Sequence, residues 1–71
     1  PYSKACWIES DNEVKMAEFR RIKAQDIVRD KDGLEVYLAP SQFILNMEIE
    51  NFPEITFHFT SEFKTAHEEG V

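Results

Sequence analysis

The sequence predicts a mainly β protein, a small antiparallel meander or barrel of about five or six short strands. Three observations carry that prediction. Phe43, Leu45, Met47 and Ile49 alternate with Ile44, Asn46, Glu48 and Glu50; past Asn51, Phe52, Pro53 and Glu54 the alternation resumes with Ile55, Phe57 and Phe59 against Thr56, His58 and Thr60. Such period-two patterning marks strands, because successive side chains leave a strand on opposite faces. Next, Asp30, Lys31, Asp32 and Gly33 form a compact turn signal ahead of the alternating run from Leu34 to Leu38, with glycine suited to the positive φ that closes such loops. Finally, Ala5, Cys6, Trp7, Ile8 and Glu9 read as a short strand that runs into the polar cluster Ser10, Asp11, Asn12 and Glu13.

Taken in order, these segments make three consecutive hairpins over 4–21, 23–39 and 42–60. In the last, Ile49 faces Ile55, Met47 faces Phe57 and Leu45 faces Phe59, which gathers one apolar face. In the middle one, a four-residue loop sets Arg29 against Leu34 and Ile27 against Val36. Residues 13–29 are ambiguous. Glu, Lys, Met, Ala, Arg and Gln favour a helix, and Ser10 or Asp11 is a suitable cap. Yet Val14, Ala17, Ala24 and Val28 fall on one side of such a helix, while Met16, Phe19 and Ile27 fall on nearly the opposite one. The turn at 30–33 favours a strand over 23–29; the alternative is an α+β fold with a helix at about 13–28 on a four-stranded sheet. Residues 61–70, with Ser61 as cap and Gly70 at the end, suit a short terminal helix.

With 71 residues and no repeat or linker, the chain reads as a single domain over 1–71, at a size where one core is marginal. A 42% apolar share, with six Phe, two Tyr and one Trp, is enough to fold and points to self-association that buries leftover apolar surface. No apolar run reaches membrane-spanning length and no signal pattern opens the chain, so a cytoplasmic location is expected. The single Cys6 excludes an intramolecular disulfide.

The formal charge of −6 is unevenly placed. Lys15, Arg20, Arg21, Lys23, Arg29 and Lys31 all lie within 15–31, whereas no Lys or Arg occurs from Asp32 to Phe63. That asymmetry suits steering of a basic partner, or attraction of copies head to tail. A protein partner, or a second copy, is therefore the expected ligand, met by Ile44, Glu48, Glu50, Phe52, Glu54 and His58 on the outward face and tip of the last hairpin, and by Glu35 of the middle one. These acids, with Glu62, also suit mimicry of a polyanion that a basic partner binds. The alternative is a small barrel that binds single-stranded nucleic acid through Arg20, Arg21 and Lys23 beside Phe19.

Catalytic and metal chemistry finds little footing. Cys6 sits in a strand beside Trp7, where a thiol behaves as a small hydrophobe. His67 with Glu68 and Glu69 lacks a second His at ligand spacing, so no metal and no cofactor is expected. Aligning Gly33 with the glycine of a calcium loop puts Val28 and Ala39 at ligand positions, which excludes that motif. Two glycines make no phosphate-cradling loop, and fourteen carboxylates single out no catalytic pair. One resemblance points the other way. A chain of this length that begins at Pro1, with a short strand and a helix alternative at 13–28, resembles the tautomerase family. The resemblance implies an enzyme whose N-terminal proline amine is a general base. Where that family carries an early Arg, residues 9–13 here read Glu, Ser, Asp, Asn and Glu.

Overall fold

A computed structural model describes residues 4–59, and it corrects the expected fold class: the protein is α+β, with a four-stranded open sheet and two ten-residue helices, not a β meander or barrel. Strand β1 (Lys4–Glu9) leads to helix α1 (Glu13–Ile22), then a 3₁₀ turn at Ala24–Asp26 and strand β2 (Ile27–Arg29). Strand β3 (Glu35–Ala39), helix α2 (Gln42–Asn51) and strand β4 (Thr56–His58) follow. Pro1 and the helix expected over 61–70 lie outside the described residues.

The strand order β2-β3-β1-β4 explains why helices replace two of the expected hairpins. Strands β3 and β4 flank β1 and both run antiparallel to it, so they are parallel to each other. A tight turn cannot join parallel strands; the chain has to cross over, and a helix is the usual crossover. Helix α2 makes that connection, and α1 makes the equivalent one from β1 to β2 around β3. Element order and strand order together are those of the split βαβ, or ferredoxin-like, arrangement, which by itself assigns no function.

Residues 42–51 are therefore a helix although they alternate like a strand. Ser41 caps it, its side chain accepting a hydrogen bond from the Ile44 amide at 3.1 Å. The buried residues of this stretch are Leu45, Glu48, Phe52 and Ile55, spaced by three and four as one helical stripe that continues into the following turn. Helix α1 resolves its two apolar stripes in the same way. Met16 and Phe19 go into the core, whereas Val14 and Ala17 stay exposed. Asn12, rather than Ser10 or Asp11, is its cap, accepting from the Lys15 amide at 3.0 Å. The helix stops at Ile22 and not near 28, because Lys23 leaves helical geometry and the chain turns into β2.

Strands β2 and β3 form the hairpin expected around the turn at 30–33, with Gly33 at φ 82°. Its register differs by one residue from the expected one: Ile27 faces Tyr37 and Val28 faces Val36. The cause is Asp30, whose Oδ1 accepts from the amides of Asp32 and Leu34, each at 2.9 Å, so that the loop takes in Leu34 as well. Its Oδ2 accepts from the Trp7 indole at 3.0 Å, which ties the turn to β1. A one-residue shift exchanges the faces of a strand, and here it sends Tyr37 toward the helices.

One core lies between the sheet and the helix pair, built on Cys6, Ile8, Met16, Phe19, Tyr37 and Leu45. Phe19 is fully buried and meets three rings edge to face, Phe52 at 5.0 Å, Tyr37 at 5.2 Å and Phe57 at 5.8 Å between centroids. Among the described residues the Tyr37 hydroxyl is buried without a hydrogen-bond partner, and burial, with the charges of Glu48 and Asp26 adding, pushes it up to about 12.

Two stability outcomes follow from this core. Tyr37→Phe removes an unsatisfied hydroxyl and keeps the ring contacts, so the urea midpoint should rise, by about 1 kcal/mol of stability, with an unchanged slope. Phe19→Ala should cost about 3 to 5 kcal/mol, enough to leave the domain largely unfolded in a circular-dichroism melt.

Candidate functional site

Helix α2 presents the surface that most needs explaining. Because Leu45 and Glu48 turn inward, the opposite side of the helix carries Phe43 and Met47 one turn apart. Phe43 is 70% exposed and Met47 42%. Glu50 continues this row toward the end of the helix, and Glu54 follows in the next turn, both exposed. No Lys or Arg occurs over 32–59. The alternation reading had set Phe43 and Met47 on the core face, so sequence reasoning missed both. The signal that could have found them is the spacing from Leu45 to Glu48 and Phe52, read against the Ser41 cap.

The acids expected to form the contact surface separate into two groups. Glu48 is 6% exposed and receives the Lys23 ammonium at 3.0 Å, linking α2 to the end of α1. Glu35 accepts from both Nε and Nη2 of Arg20, at 2.7 Å each. The Arg20 hydrogen bonds hold the Glu35 carboxyl below its ordinary 4.5 against the opposing effect of burial, with the positive charges of Arg20 and Arg29 adding. Both carboxylates are thus engaged inside the chain. Phe52, expected at an exposed turn tip, is a core residue at 6% exposure, because it caps α2 and packs on Phe19. Ile44 is half-buried. His58 lies on β4 opposite Trp7, on the sheet face turned away from the helices, and its ring pairs with Glu9.

The fold gathers Glu54 with two acids that the sequence did not single out for contact. Glu9, Asp11 and Glu54 line a shallow polar cleft of about 420 Å³ together with Ser10, Asn12 and Thr56. The Ser10 hydroxyl donates to the Glu54 carbonyl at 2.6 Å and holds the two walls together. Among the described residues, no three His, Cys, Asp or Glu side chains come together as a metal-binding group.

Of the basic residues set aside for nucleic acid, Arg20 and Lys23 are the partners of Glu35 and Glu48, and only Arg21 is exposed. Cys6 is buried, and desolvation pushes its thiol up to about 12, so the nucleophilic thiolate is scarce at neutral pH. Pro1, on which the tautomerase resemblance depends, lies outside the described residues. No helix among the described residues is long and apolar enough to cross a membrane. The chain matches no protein-family model.

The internal ion pairs make two measurable differences. A carboxyl depressed by its fold contributes stability above its ordinary value, and that contribution is lost as pH falls through the depressed one. Stability should therefore decline from about pH 4.5 downward, and Arg20→Gln should remove the part of that decline which Glu35 supplies, read from urea midpoints at successive pH values. Lys23→Met alone should cost about 3 kcal/mol, because Glu48 is left buried without its cation, while Lys23→Met with Glu48→Leu should recover most of that loss.

Proposed function

We propose that this chain is a small acidic, non-enzymatic protein-interaction domain, and that the outward face of α2 is its docking surface for a partner carrying apolar and basic side chains. The observation that carries this reading is the exposure of Phe43 and Met47 on a helix with no basic residue, flanked by Glu50 and Glu54. Large exposed apolar side chains in a row are typical interface anchors, and acids beside them select a partner of opposite charge. The carboxylates around the cleft extend the negative surface beyond the end of α2. A cytoplasmic setting belongs to the same proposal, supported by the single free, buried thiol.

The test is titration of a fluorescent amphipathic helical peptide, with Leu on one side and Arg on the other, against the protein. Phe43→Ser should weaken binding by about thirtyfold, the effect of losing an interface anchor, and should leave the melting temperature unchanged because Phe43 is outside the core. Glu50→Gln should weaken binding mainly at low salt. Binding that ignores both changes would remove α2 as the docking surface.

A further inference from the structure

We propose that the outward face of α2 docks the outward face of α1 on a second copy of this chain, so that the copies associate head to tail. The proposal rests on the reading of α2 as a docking surface and names its occupant. Each helix keeps one exposed row turned away from the sheet. On α1 the row is Val14, Ala17 and Arg21; on α2 it is Phe43, Met47 and Glu50. Both rows follow helical spacing over two turns, and both read apolar, apolar, charged in the same chain direction. The charges are opposite.

Val14 is 75% exposed, an unusual position for a branched apolar side chain with no part in the core. Ala17 beside it leaves a depression into which a larger side chain such as Phe43 or Met47 fits, as ridges fit grooves between helices. Arg21 and Glu50 have no ion-pair partner among the described residues, although Arg20 and Glu48 next to them in the helices are taken by Glu35 and Lys23. Among the described residues, the unmatched cation of α1 and the unmatched acid of α2 are thus the ones on the outward rows. Glu50 also sits in the last turn of α2, near the negative end of the helix, and that turn contains no basic residue. An Arg21 laid alongside from another copy supplies the cation that this end favours.

The two rows are different patches, so the contact is heterologous: every copy that docks leaves one row of each kind open, and growth does not stop at two. Two helices of ten residues, each about 15 Å long, present less than the ~1,200 Å² of a stable complex. The association is therefore weak, expected at about 0.1 to 1 mM protein.

Sedimentation equilibrium of the 71-residue chain from about 10 μM to about 1 mM tests this. The weight-average mass should climb with concentration past that of two copies. Arg21→Glu and Glu50→Arg, each alone, should stay monomeric. Mixed in equal amounts they should associate again and grow past two copies, because Glu50 of one variant meets Arg21 of the other, and the two reversed charges, of opposite sign, meet each other at the alternate contacts. That mixture also guards against misfolding, since two misfolded variants would not complement. Three results would overturn the proposal: wild-type protein monomeric at the highest concentration, either single variant associating like wild type, or a mixture that remains monomeric. If self-association fails while the Leu-Arg peptide still binds through Phe43, the docking surface stands and the second copy is not its occupant. If the peptide fails as well, both readings fall.

Discussion

The ring of Phe19 is the joint on which this structure turns. It reaches from α1 to Tyr37 on β3, to Phe52 at the end of α2 and to Phe57 on β4, each contact edge to face. Such contacts contribute about 0.5 to 1.5 kcal/mol apiece beyond the area they bury, a large share of the stability open to a domain this small. They also set the rotation of both helices. With Phe19 inward, Val14, Ala17 and Arg21 must face out; with Leu45 and Phe52 inward, Phe43, Met47 and Glu50 must face out. The exposed rows are the reverse side of the core.

Electrostatics follows the same partition. The basic segment and the acidic remainder of the chain meet inside the molecule through Arg20 with Glu35 and Lys23 with Glu48. The first pair joins α1 to β3 with two short hydrogen bonds, and the second holds α2 against the end of α1 in a mostly buried setting. For the mostly buried pair, desolvation offsets much of the attraction. The effect of the two pairs on recognition is subtractive: an evenly acidic face shrinks to Glu50, Glu54 and the carboxylates near the cleft, set beside two exposed apolar side chains.

Strand alternation misled at 43–50 because that run satisfies both periods at some residues and not at others. Leu45 is inward as a strand or as a helix. Glu48 is outward as a strand and inward as a helix; Phe43 and Met47 do the reverse. Local signals for the helix were present in the Ser41 cap and the Leu, Met, Glu and Gln content, but a period-two count outweighs them when the window stops at Glu50. At 13–22 the opposite difficulty arises, since two apolar stripes compete and only the one bearing Phe19 finds partners. The candidate site inherits both ambiguities: Glu50 and Glu54 were legible as outward acids, while its apolar members were assigned to the core.

What the sequence determined by itself is what depends on neighbours along the chain. The turn at 30–33 closed by Gly33, the strand through Cys6 and Ile8, and the absence of Lys and Arg from 32 to 63 are all read directly along the chain. The tertiary structure alone decided that 42–51 is a helix and that Lys23 meets Glu48. Each of those depends on β1 inserting between β3 and β4. Once it does, the two outer strands are parallel, a crossover replaces the hairpin, and the helix that makes the crossover turns its second apolar row to solvent.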